Sequence, residues 1–256
     1  MYSKEQIEKA VKSQGYVWFN GAKDYDVNII GVRNSDTKNK VTNAFDDCMT
    51  LSYKVDGDWK FHCFKCTTDP GTHWVENVMN DKGVAILKPG QYRGSHKIGL
   101  HQGKYEALRQ MKPVKVYRDK NKDGVYDKNE DLVEIGLFGI NIHRATKHAG
   151  KKSKQIDKWS AGCQVIAAAD NFKKFMELAN MAKTAWSNSF TYTLIESKDI
   201  KVNKIMNELN FNELELLIKL VNKHFDNDEP TNIKWDFSGV LITKLTNQID
   251  SLPIEG

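Results

Sequence analysis

Long apolar runs are missing from this 256-residue chain, and none of its segments approaches the length of a membrane span. No membrane span is therefore expected. Met1-Tyr2-Ser3-Lys4-Glu5-Gln6 opens with charge and lacks the apolar stretch and small-residue cleavage site of an export signal. A chain without a signal peptide is expected to be synthesised in the cytoplasm and carried by other means wherever it acts outside. Cysteine is scarce: Cys48, Cys63, Cys66 and Cys163 are the four, too few for a disulfide scaffold in a chain this long. Dense positive charge is confined to Lys151-Lys152-Ser153-Lys154, too short for a nucleic-acid footprint, and the net charge of +5 is otherwise dispersed. That run reads as a solvated loop, with affinity for a polyanionic surface such as a bacterial wall as the alternative. No internal repeat is visible.

Apolar residues make up 40% of the chain and aromatics 10%, enough to bury a substantial core. Three stretches differ in texture. Residues 1–26 form an N-terminal helical segment, with Ser3-x-x-Gln6 as a capping box and Ile7, Ala10 and Val11 on one side. Residues 27–198 are dominated by short strands: Val27–Val32, Met49–Val55, Trp59–Phe64, Val84–Leu87, Val114–Tyr117, Leu137–Ile142, Cys163–Ile166 and Phe190–Ile195. Asp56-Gly57 marks a hairpin turn between the second and third. One helix interrupts them, with Asp170 as the expected N-cap and Phe172, Phe175, Met176, Ala179 and Ala182 at helical spacing. Residues 199–256 turn helical again and read as an appendage packed on the preceding domain or on a partner. The fold class is mainly β with helices (α+β).

Cys63-Phe64-Lys65-Cys66 has zinc-like spacing, and His62 and Cys48 could complete a four-ligand set. The strand-like setting favours buried half-strand cysteines. Cys163 is different. In Ser160-Ala161-Gly162-Cys163-Gln164, a glycine directly before the thiol permits a tight turn that brings amide N–H groups close, as an oxyanion hole requires. Ser160 adds a hydroxyl. A thiol attacks only as thiolate and needs a base; His143, at the end of a strand-like run, is the candidate. Local chemistry leaves a catalytic thiol and a buried structural thiol both open.

His143, sixteen residues, then Ser160-Ala161-Gly162-Cys163 resembles the signature of the L,D-transpeptidase (YkuD-like) catalytic domain. Thr67-Thr68-Asp69-Pro70-Gly71 resembles a Thr/Pro/Gly-rich strand exit of that domain. The resemblance implies a β-sandwich over residues 27–198. A wall enzyme whose sequence shows no export signal is expected to be a phage product, acting in lysis or in the virion. It implies that Cys163 forms a thioester with a peptidoglycan stem peptide. His143 would act as base and then acid, and the Gly162 and Cys163 amides would hold the oxyanion. Trp159, Gln164 and Arg144 are the expected substrate contacts. Ala161 and Gln164 stand where the family often has His and Asn or Arg. Transfer to water and transfer to an amine both stay open, with hydrolysis slightly favoured. The rival from another class is a non-enzymatic virion or wall-binding protein, its C-terminal helices contacting other virion proteins. His96 and His101 read as surface histidines near the cleft and His148 as a loop residue. A zinc site of His101, His143 and His148 lacks a supporting motif.

Asp119-Lys120-Asn121-Lys122-Asp123-Gly124-Val125-Tyr126-Asp127-Lys128-Asn129-Glu130 follows the twelve-residue calcium-loop pattern. Asp119, Asn121 and Asp123 supply oxygens, Val125 a carbonyl, Asp127 a water-bridged ligand and Glu130 the closing carboxylate. Strand-like flanks replace the usual helices, so structural calcium is expected to stiffen a hairpin leading toward His143. The alternative is an Asx-rich surface turn.

Overall fold

A computed structural model describes residues 2–21, 23–125 and 133–200. Asp127, Glu130 and the expected C-terminal helices lie outside the described residues. Two compact units divide the rest: residues 19–197, and residues 3–18 with 198–200. In the smaller unit, helix α1 (Lys4–Ser13) has the expected capping box. Ser3 Oγ accepts from Gln6 N at 3.2 Å, and Gln6 Oε1 accepts from Ser3 N at 2.9 Å.

The larger unit begins with β1 (Asn28–Arg33), buried at every position because hydrogen-bonded strands flank both edges. β2 (Asp47–Val55) and β3 (Asp58–Thr67) form the expected hairpin. Asp56 and Gly57 make its turn with φ of 51° and 83°, the left-handed pair a tight two-residue turn needs. Helix α2 (Thr72–Glu76), β4 (Ala85–Leu87), β5 (Gly90–His101), β6 (Tyr105–Gln110) and β7 (Val114–Arg118) follow. Then come β8 (Glu134–Gly136), β9 (Ile142–Arg144), β10 (Gln164–Ile166), α3 (Ala169–Ala185) and β11 (Phe190–Glu196).

Eight strands close into a barrel in the order β1-β11-β5-β6-β9-β10-β3-β2, and β4-β7-β8 form a separate small sheet. The mainly β reading therefore stands, but the principal sheet is closed on itself instead of stacked as two layers. The apolar face of α3, led by Phe172, Phe175 and Met176, packs in one cluster with Met49, Leu51, Leu108 and Ile142 from the strands. Gly31 on β1 leaves room for the Tyr192 hydroxyl, which a Cβ there would strike.

Several local expectations need correction. β5, the longest strand among the described residues at 12 residues, and β6 are absent from the strands expected from the sequence. The expected strand over residues 137–142 does not form before Ile142, where β9 begins. Gly139 has φ of +72°, and the Phe138 and Ile140 amides donate to the Gln110 side chain (3.1 and 2.9 Å) in place of a strand partner. Helix α3 starts after Ala168 without a side-chain cap; Asp170 lies in its first turn and accepts from Gly150 N at 2.9 Å. Cys63 is not a free half-strand thiol but is joined to Cys48 as a disulfide, leaving Cys66 buried and free. His62 lies stacked between Tyr53 and Phe64, away from a ligand role.

Candidate active site

β9 and β10 run parallel and side by side, with His143 opposite Val165 and Ile142 opposite Gln164. Cys163, one residue ahead of β10, falls opposite Asn141. Side chains alternate along a strand, so Cys163 and His143 emerge on the same face. The twenty-residue separation closes because the intervening loop is tied at both ends. Ala145 N donates to Ile166 O at 3.0 Å, and Gly71 N to Ser160 O at 2.9 Å.

The turn before the thiol is tightly specified. Ser160 is buried; its hydroxyl donates to Cys163 O at 2.8 Å and accepts from Gly162 N at 3.1 Å. Gly162 has φ of +120°, and a Cβ there would enter the Ala85 carbonyl of β4. Ser160 and Gly162 thus shape the backbone that presents Cys163. The Gly162 N–H is engaged by Ser160 and is not free for an oxyanion; the Cys163 amide is the remaining candidate from this turn.

Cys163 is half-buried, and its Sγ donates to Gly139 O at 3.2 Å. Burial pushes the thiol up to about 11, against a smaller lowering by the Asn141 backbone N–H. His143 is buried at 4% exposure. Burial, with the neighbouring His101 adding to it, holds its pKa down to about 4, the Arg144 carbonyl working weakly the other way. Nδ1 lies 3.0 Å from Arg144 O and 3.4 Å from the Tyr105 hydroxyl. A neutral imidazole donating from Nδ1 to that carbonyl keeps Nε2 as a proton acceptor. No hydrogen bond joins thiol and imidazole, so this is a neutral pair at rest and not an ion pair.

His101, at the end of β5, was expected on the surface. It is buried and stacks on His143 with ring centroids 4.3 Å apart. Asn141 Nδ2 lies 3.3 Å from His101 Nδ1. Burial, then the positive charges of Arg109 and Lys104, hold His101 below its ordinary pKa. His96 is fully buried between Ser95 Oγ (2.8 Å) and Ile140 O (2.8 Å), pushed down to about 4 chiefly by burial. His148 is exposed in a loop and remains apart from the His101–His143 pair. Sequence spacing did not single out Tyr105 and Asn141, and it put His101 near the cleft but on the surface. The only available signal was alternation in a strand whose glycines disguised it.

Of the expected substrate contacts, Trp159 stands 47% exposed. The Arg144 guanidinium lies over the Tyr105 ring, 4.1 Å from its centroid. Arg144 and Tyr105 border a groove of about 390 Å³ together with Lys147, Phe172, Lys173 and Glu177, and Trp159 lies outside that lining. Gln164 is different: it is completely buried, accepts from Tyr192 Oη at 2.7 Å and donates toward Gly162 O and Thr68 O. Its position corrects the substrate-contact expectation to a support beneath the thiol.

That support extends into a buried ionic network. Arg33 pairs with Asp69 at 2.9 Å and donates to Thr68 O and Leu87 O. Asp47 accepts from Asn34 N and from both Thr68 donors, at 2.6–2.8 Å. Burial and then the nearby Asp69 carboxylate push Asp47 up to about 7. The Thr67–Gly71 strand exit thereby becomes a rigid floor, with Gly71 docked on the Ser160 loop.

Comparison of the chain with family models, curated proteins and solved structures gave no match.

Proposed function

We propose that the larger unit is a cysteine-dependent acyltransferase or hydrolase acting on peptidoglycan stem peptides, of the type suggested by the resemblance to L,D-transpeptidases. One observation carries the reading: Cys163 directly precedes β10, whose parallel partner β9 bears His143, and the His143 Nδ1 is tied to the Arg144 carbonyl. In this mechanism Nε2 of His143 takes the Sγ proton as sulfur bonds to the scissile carbonyl carbon. Collapse of the tetrahedral intermediate breaks the C–N bond, and the imidazolium returns the proton to the leaving amine. Water or an amine then attacks the thioester, regenerating the thiol. The groove lined by Tyr105 and Arg144, with cations Arg144, Lys147 and Lys173 and anions Glu106, Asp170 and Glu177, suits a peptide carrying both carboxylate and amine groups. That the larger unit, with its closed barrel and small sheet, serves as a catalytic domain of that family is part of this proposal.

The elevated thiol pKa favours a second reading, a wall-binding or virion protein that keeps the arrangement without turnover. Incubating the full chain with muropeptides and following products by mass spectrometry separates the two. Turnover abolished by Cys163→Ala supports the enzyme. No product from any stem peptide overturns it in favour of binding.

A further inference from the structure

We infer that the loop from Asp119 to Val125 binds one calcium ion, held by the side chains of Asp119, Asn121 and Asp123 and the Val125 carbonyl. Two independent features point there. The sequence sets oxygen-bearing side chains at alternate positions, followed by Gly124 at a left-handed φ of +77°. Separately, Asp119 is a carboxylate only 1% exposed, and its two oxygens differ. Oδ2 accepts from Gly124 N at 3.1 Å, which turns the carboxyl group into the loop. Oδ1 is buried and has no hydrogen-bond partner. A buried carboxylate oxygen without a donor is a rare feature, and a cation supplies what it lacks.

The rest of the loop is held together by its own side chains. Asp123 Oδ1 accepts from Val125 N at 2.7 Å and Asn121 Nδ2 donates to Asp123 Oδ2 at 2.9 Å, which keeps both side chains gathered over the turn. The alternating Lys120 and Lys122 are exposed. All donors are oxygen, with no imidazole or thiolate among them, so the chemistry is that of a hard divalent cation. Ligands spread along seven residues of one loop suit the larger and more flexible coordination of calcium over magnesium.

The site is not isolated from the thiol. Asp119 directly follows β7, and β7 pairs on one side with β4 and on the other with β8. The β4 residue Ala85 sets its carbonyl against Gly162, and the chain leaving β8 reaches Gly139, whose carbonyl receives the Cys163 thiol. Val41 N also donates to Gly124 O at 2.8 Å, anchoring the loop to the β1–β2 connection. An ion at Asp119 would brace the small sheet that abuts the Cys163 turn.

Calorimetric titration of the chelator-stripped full chain with calcium chloride, paired with thermal melts, tests this. One calcium site is expected, with a Tm rise of about 5 °C or more once calcium is about a hundredfold above Kd. Asp123→Asn, a change at an exposed position that spares the fold, is expected to weaken binding at least about tenfold, and Asp119→Asn more. Absence of both heat and Tm shift at about 10 mM calcium overturns the site. So does an Asp123→Asn protein that binds like the wild type, and a magnesium titration that matches calcium overturns the choice of ion.

Discussion

His101 lies almost flat on His143, ring centroids 4.3 Å apart and planes 20° from parallel. The contact seals one face of the imidazole from water, and a second protonatable ring there opposes protonation of the first. Both effects hold His143 neutral. With Nδ1 committed to the Arg144 carbonyl, the ring has one orientation and one tautomer, which is what a base aimed at a neighbouring thiol requires.

Removing the stacked ring should therefore free His143 to titrate. In His101→Ala, the His143 pKa followed by imidazole C–H NMR is expected to climb from about 4 by at least about one unit toward the ordinary histidine value. His101→Phe restores the stack without the charge and should recover part of the depression. An unchanged His143 titration in both variants would show that burial elsewhere sets its protonation.

Cys163 should behave as a slow thiol at neutral pH. Cys66 is buried and Cys48 is bonded to Cys63, so Cys163 is the accessible free cysteine among the described residues. With its pKa near 11, alkylation by iodoacetamide at pH 8 is expected to run about a hundredfold slower than for an ordinary cysteine. The rate should still be rising above pH 10. A rate plateau reached below pH 7 would mean a thiolate–imidazolium pair, contrary to the neutral pair described here.

The sequence carried the hairpin, most strand positions and the thiol with its histidine, because those signals are local. Asp56-Gly57 declares its turn, and Gly162 before Cys163 declares its tight backbone. β5 was illegible for a physical reason: Gly90, Gly94 and Gly99 and several polar residues break the apolar alternation of a strand whose histidines point into the protein. His101 therefore reads as a surface residue although it is buried. Gln164 misled because its neighbour is the thiol, yet alternation along β10 turns it to the opposite face, where Tyr192 waits. Closure into a barrel depends on the parallel β1–β11 pairing between residues about 160 apart, which no local pattern encodes.

Acid should expose the opposing roles of the buried titratable groups. His96 and His143 have folded pKa values near 4, below the unfolded value, so their contribution is full above about pH 6.5 and lost as pH falls toward 4. Between pH 7 and 5 each withdraws about 2 kcal/mol. Asp47 has the reverse sign: raised to about 7, its contribution is full below about pH 4 and lost as pH rises through 7. It offsets about 2 kcal/mol of the histidine loss over the same interval. Denaturant melts of Asp47→Asn should therefore fall more steeply from pH 7 to 5 than those of the wild type. Parallel curves would remove Asp47 from this account.

The turn that presents Cys163 has two separable supports, and their loss should read differently. Gly162→Ala places a methyl group into the Ala85 carbonyl at a backbone angle L-residues avoid. A cost on the order of 3 kcal/mol is expected, seen as a lower denaturation midpoint. Ser160→Ala creates no clash but leaves the Gly162 N–H and the Cys163 carbonyl without their shared hydroxyl. A smaller loss of about 1–3 kcal/mol should follow. With the turn loosened, water reaches the sulfur more readily, so Cys163 alkylation at pH 8 should accelerate in Ser160→Ala relative to the wild type. Equal alkylation rates, with the stability loss present, would mean that Ser160 holds the fold but not the thiol.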